Sequence, residues 1–106
     1  MAILAIFRGD NITKQMYESL RKEVDWEHKH PTGLILHVAG LSGSGNYDRV
    51  EQVFDVWESA QDLNNFINSR FKPAAERINV PAPKVEILQI YDISAYTGID
   101  RHRVRY

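Results

Sequence analysis

Hydrophobic and polar positions alternate with a period of two along residues 47–57. Val50, Phe54 and Val56 fall on one side, and Arg49, Glu51, Val53, Asp55 and Trp57 on the other, which is the pattern of a β-strand. Ser59 ends the alternation. Its hydroxyl is suited to accept from an unpaired amide of a first helical turn, and Asp62 adds negative charge where the helix dipole favours it. Leu63, Phe66, Ile67 and Phe71 then recur at helical spacing and form one stripe. Pro73 is expected to end that helix and open a short one over residues 73–78, because proline fits a first turn better than an interior.

The same reading extends along the chain. Residues 2–8 predict a strand that is apolar on both faces (Ile3, Leu4, Ile6, Phe7), as expected of a central strand with both sides covered. Residues 11–13 offer a helix start, and Met16, Tyr17, Leu20 and Val24 mark a buried stripe. The polar stretch 25–32 reads as a loop, 33–41 as a second strand, the Gly- and Ser-rich 40–46 as a hairpin connection, and 84–93 as a fourth strand. The order β-α-β-β-α-β gives an α+β, ferredoxin-like fold, a four-stranded antiparallel sheet with both helices on one face. A domain over residues 1–93 is then followed by a C-terminal arm, 94–106.

This arrangement leaves a sheet face to be covered. Strand two sets Leu34, Leu36 and Val38 against Ile35 and Ala39, and strand four sets Val85 and Ile87 against Leu88 and Ile90. Two helices on one side cover one face only. A homodimer laying sheet against sheet is the simplest cover for the other.

Composition excludes more than it suggests. The 106 residues suffice for one domain burying about two thirds of its unfolded surface. With 13 basic and 14 acidic side chains the net charge is −1, so neither nucleic acid nor an anionic membrane is favoured as a partner. Cysteine is absent, which removes disulfides, thiolate catalysis and cysteine metal sites. No run approaches the roughly twenty apolar residues of a membrane helix, and the N-terminal run reads as a strand and not as a signal peptide. A cytoplasmic protein is expected.

The segments Gly33-Leu-Ile-Leu-His37, Asp55-Val-Trp-Glu-Ser59, and Phe66 with Phe71-Lys-Pro-Ala74 together resemble the antibiotic-biosynthesis-monooxygenase group of dimeric α+β barrels, over about residues 3 to 92. The resemblance implies a homodimer. It includes oxygenases that use neither metal nor flavin and act on electron-rich phenols, haem-degrading enzymes, isomerases, and proteins without known activity. Haem degradation is disfavoured, because Phe66 and Glu76 stand where those relatives carry Trp and the haem-ligating His.

A cofactor-free oxygenase needs a pocket that desolvates a phenol and a base that takes its proton. His37, mid-strand and half-buried, is the candidate base; the competing reading is an imidazole hydrogen-bonded within the sheet or the dimer interface. Trp57 can stack on an aromatic ligand with its indole N–H as donor, or simply close the strand-to-helix junction. Tyr17, Phe66 and Tyr91 are candidate pocket walls, and Arg70 a candidate partner for an anionic group. His28 and His30 lack the carboxylate or thiolate company of a metal site. The Gly40, Gly43 and Gly45 loop precedes a strand, where a phosphate cradle needs a helix N-terminus. No Ser, His and Asp set has support from spacing. Arg101, Arg103 and Arg105 alternate with His102, Val104 and Tyr106, which predicts an extended arm able to dock on a partner subunit. The sharpest expectation is a cofactor-independent monooxygenase for a small aromatic or polyketide-like substrate, without metal or cofactor. A non-catalytic dimer binding a small apolar ligand, and a cofactor-free isomerase, are the alternatives.

Overall fold

The computed structural model describes residues 1–43 and 45–104. The strands are β1 (Ile3–Arg8), β2 (Leu34–Ser42), β3 (Arg49–Trp57) and β4 (Lys84–Gln89); the helices are α1 (Lys14–Val24), α2 (Ala60–Phe66) and α3 (Lys72–Arg77). One antiparallel sheet has the order β2-β3-β1-β4, the ferredoxin-like arrangement expected from the element order.

Strand register decides which side chains meet. On the helix-covered face, Leu34, Trp57 and Ile3 form one row; His37, Asp55, Ala5 and Ile87 form the next; Ala39, Val53, Phe7 and Val85 form a third. Alternation alone grouped Leu34 with Leu36 and Val38. A bulge between Leu34 and Leu36 corrects that: Ile35 is the extra residue, and it turns Leu34 onto the face that His37 and Ala39 occupy. The core under the helices is built from Ile3, Ala5, Phe7, Leu20, Val24, Trp57, Leu63, Phe66, Ala74 and Ala75.

The predicted caps are present. Thr13 Oγ1 accepts from the Met16 amide at 3.1 Å, and Ser59 Oγ from the Asp62 amide at 3.1 Å. Gly33, at φ +86°, passes so close to α2 that a Cβ there would lie 2.6 Å from Asp62 Cγ. The expected break at Pro73 is instead a change of pitch. A π turn, Ile67–Phe71, joins α2 to α3, and the Lys72 amide donates to the Ile67 carbonyl. Phe66, Ile67, Phe71 and Lys72 all keep right-handed helical angles. Pro73 thus enters in the opening turn of α3, where its missing N–H is least costly.

β4 is shorter than predicted. Its pairing with β1 ends at Gln89 opposite Ile3, one further bond joins the Ile90 amide to the Ala2 carbonyl, and no more of β1 remains to pair with. Beyond it, Thr97–His102 form a 3₁₀ turn, with Arg103 Nε paired to Asp100 Oδ1 at 3.0 Å. The alternation of basic residues therefore does not produce an extended arm over these positions; Arg105 and Tyr106 lie outside the described residues. The sheet face opposite the helices carries Phe54 at 37 %, Val38 at 48 % and Leu88 at 44 % exposure, beside Leu4, Ile6 and Val56. No helix among the described residues is long and apolar enough to cross a membrane.

Candidate functional site

His37 and Asp55 are direct cross-strand partners, and residues so paired on one face bring their Cβ atoms to roughly 5 Å. Register therefore places an imidazole beside a carboxylate on the helix-covered face. His37 Nδ1 lies 2.7 Å from Asp55 Oδ1, and the Trp57 indole N–H donates to Asp55 Oδ2 at 3.1 Å. Asp55 is 4 % exposed and Trp57 is wholly buried. The two donors, together with the strand backbone, hold the carboxylate in place.

This geometry fixes the proton on the histidine. A carboxylate only accepts, so the neutral imidazole carries its hydrogen on Nδ1 and presents the lone pair of Nε2. The Tyr17 hydroxyl, brought across by α1, lies 2.8 Å from that Nε2 and donates to it. Burial raises the pKa of the Tyr17 phenol well above its ordinary value, with the negative charge of Asp55 adding to the effect and Arg21 opposing it. Tyr17 consequently holds its proton throughout the neutral range. Its ring lies parallel to the imidazole within 8°, at 6.3 Å between centroids, and Trp26 packs on both, 5.0 Å from His37 and 5.8 Å from Tyr17.

The chain Trp57–Asp55–His37–Tyr17 forms part of the wall of a cavity between the sheet and the helices, lined further by Phe7, Phe66 and Phe71. About 70 Å³ of it is open to the centre of a water molecule. At roughly 10–15 Å³ per water, that is room for about five waters or a single ring. Glu51 also lines the cavity, its carboxylate accepting from Ser42 Oγ at 3.0 Å and from the Asn11 amide at 3.2 Å.

Four of the residues singled out in the sequence, His37, Tyr17, Trp57 and Phe66, therefore meet around one cavity. Trp57 is engaged differently from a ligand-stacking residue: its N–H is held by Asp55 and its ring packs on Phe66 at 5.2 Å. Arg70 and Tyr91 do not line the cavity. The Arg70 guanidinium donates to the Val24 and Asp25 carbonyls at 3.0 and 3.4 Å and lies 5.5 Å over the Phe66 ring, so it caps the C-terminus of α1. Tyr91, 99 % exposed, follows the end of β4. Two residues of the site were not singled out. Asp55 announces itself as an acidic residue at an inward position of an alternating strand, and Trp26 as a large aromatic inside a polar loop.

The outlying histidines bind locally. His28 Nδ1 is 2.6 Å from Asp25 Oδ1, and His30 Nε2 donates to the Leu34 carbonyl at 2.9 Å. Among the described residues, no three His, Cys, Asp or Glu side chains converge as a metal would require.

No family model matches the chain, and no characterised sequence matches it either. Solved structures do share its fold. A protein of unknown function from Nitrosomonas europaea, NE2512, superposes with a TM-score of 0.59 at 12 % identity, over 92 % of this chain and 94 % of that one. SnoaB, a cofactor-independent oxygenase from Streptomyces nogalater, gives 0.57 at 12 % identity, over 87 % and 93 %. A candidate antibiotic biosynthesis monooxygenase from Deinococcus radiodurans gives 0.51 at 11 % identity, over 92 % and 100 %. At the level of fold, the chain thus matches the group that its sequence resembles.

Proposed function

We propose that this protein is a cofactor-independent oxygenase acting on a small phenolic or enolic substrate, with His37 as the base. The observation that carries the reading is the Asp55–His37–Tyr17 hydrogen-bond chain in the wall of an aromatic-lined cavity. Tyr17 Oη donates to Nε2 and keeps a lone pair for a substrate hydroxyl. As the substrate proton passes to Oη, the Tyr17 proton passes to Nε2, and Asp55 stabilises the imidazolium. Tyr17 carries no net charge at any point, in keeping with its raised pKa. The substrate anion then reduces dioxygen directly. A ring carbon bonds to oxygen, and the peroxide anion takes back the proton held on His37 through Tyr17. Cleavage of the O–O bond with loss of that carbon's hydrogen leaves a quinone-type carbonyl, so that one oxygen atom enters the product and the other leaves as water. SnoaB, of the same fold, is a cofactor-independent oxygenase, and the cavity size favours one ring over a polycycle.

The test is oxygen uptake with a panel of electron-rich phenols. His37→Ala is expected to lower kcat by about 10²- to 10⁴-fold, the usual worth of a general base. Uptake unchanged in the variant, or no phenol oxidised by the wild type, sinks the reading. A second reading has support from the Tyr17 proton held beside the base: an acid–base pair of this kind also suits isomerisation without dioxygen. Exchange of substrate C–H for deuterium under anaerobic conditions, dependent on His37 and unaccompanied by oxygen uptake in air, selects that alternative.

The same reading includes a homodimer formed through the sheet face opposite the helices. Its support is the exposure of Phe54, Val38 and Leu88 there, an apolar surface unusual for a free monomer. Sedimentation at micromolar concentration should give twice the 12.2 kDa chain mass, and Phe54→Glu should shift it to the monomer. A wild-type monomer under those conditions removes this part of the proposal.

A further inference from the structure

Phe7 and Phe71 line the cavity that holds His37. These rings, 6.1 Å apart between centroids and inclined at 40°, also line a second cavity, which lies between α3 and the β1–β4 side of the sheet. Val80 and Pro83 are likewise common to both. The second space has about 160 Å³ open to the centre of a water molecule. Ile67, Ala75 and Val85 make its walls apolar, and its charged residues are Lys72 and Glu76. Their charges offset one another, so neither an anionic nor a cationic group is selected there.

We infer that the two cavities are one bipartite site for an amphipathic substrate, a hydroxylated single ring with an unbranched, uncharged apolar chain of several carbons. The ring lies against Tyr17 and His37, an orientation that rests on the proposed role of His37 as base, and the chain passes Phe71 into the second cavity. Phe71 can act as the divider because it closes the π turn and is only partly buried. A ring alone fills the first cavity and leaves the second, with its mostly apolar lining, to water. A chain displaces that water, at about 0.8 kcal/mol per buried methylene.

Binding can be followed without turnover, since both tryptophans, Trp26 and Trp57, line the first cavity and their fluorescence reports the ring. Phenol and its para-ethyl, -butyl, -hexyl and -octyl derivatives are titrated against the wild type, Val85→Trp and Ala82→Trp. In the wild type, affinity should rise by up to about fourfold per methylene and then level off as the second cavity fills. Either tryptophan substitution should abolish that rise while phenol itself still binds; Ala82 also lines the second cavity and lies in a loop, so its variant stands if the one on β4 fails to fold. Phenol binding with no gain from the chain overturns the bipartite site and leaves the base assignment intact. A chain-length gain without oxygen uptake or proton exchange overturns the base assignment and leaves the bipartite site intact. Failure of the whole series to bind overturns both.

Discussion

Asp55→Asn should give a folded protein that has lost its base. The carboxylate accepts from His37 Nδ1 and from Trp57 Nε1, at 2.7 and 3.1 Å, in a position only 4 % exposed. An amide offers one acceptor and one donor group in the same space. If its oxygen faces His37, its NH₂ confronts the indole N–H, and a buried donor is left unpaired at a cost of about 1–3 kcal/mol. If its oxygen faces Trp57, the NH₂ donates to Nδ1 and the indole keeps its acceptor once the imidazole hydrogen moves to Nε2, while the Tyr17 hydroxyl, on the cavity wall, turns its proton into the cavity. The second arrangement wins. The Nε2 lone pair is then gone, and the imidazole donates to Tyr17 Oη in place of accepting from it. A tautomer change of this kind in a serine protease costs about 10⁴-fold in kcat, and a loss of about 10²- to 10⁴-fold is expected here, with KM little changed. Imidazole nitrogen shifts in the ¹⁵N spectrum should report Nδ1–H in the wild type and Nε2–H in the variant. An Nδ1–H tautomer with full activity in Asp55→Asn would refute the proton inventory on which the mechanism stands.

Trp57→Ala should be the most destabilising single substitution considered. The side chain is wholly buried, packs on Phe66 and lies in the central core, where truncation of so large a residue costs about 3–5 kcal/mol. An oxygen of Asp55 also loses its donor. Small domains have about 5–15 kcal/mol in total, and each kcal/mol is worth about 4–8 °C in Tm at this size, so a fall of at least about 12 °C is expected. Trp57→Phe separates the two contributions. It keeps most of the packing and loses only the N–H, so its stability should fall by about 1–3 kcal/mol, with a change in the pH profile of activity as the carboxylate gains freedom to turn. Denaturant unfolding and kcat against pH measure both, and a Trp57→Phe protein unchanged in each would show that the indole merely fills space.

Much of the fold was legible because its signals are local. Ser59 and Thr13 cap the helices that their sequences announce. The alternation correctly sets Val53, Asp55 and Trp57 apart from Phe54 and Val56, although Val50, grouped with the latter pair, is buried and lines the cavity. Legibility failed where one residue changes the count. The extra residue Ile35 inverts the parity of Leu34, and the π turn carries the helix into α3 without the break that Pro73 suggested. The site was half legible for a related reason. His37 and Tyr17 could be named from type and position, but the meaning of Asp55 depends on cross-strand register with His37, a pairing between residues far apart in the chain. Arg70 misled because a cation near a helix end serves a neighbouring helix as readily as a ligand.

The π turn from Ile67 to Phe71 amounts to an α-helix holding one residue too many. Each residue of an α-helix advances the side-chain direction by about 100°, and the wide turn absorbs one such advance, so the same sequence wound as α-helix throughout from Ala60 would rotate everything after it by about 100°. Ala75, now in the core, would then swing toward solvent, whereas removal of one residue between Asn68 and Arg70 with α pitch restored should leave both alanines in place. The surplus residue therefore acts as an angular spacer: it lets one continuous rod present two faces in different phases, Leu63 and Phe66 toward the sheet before it and the paired alanines after it.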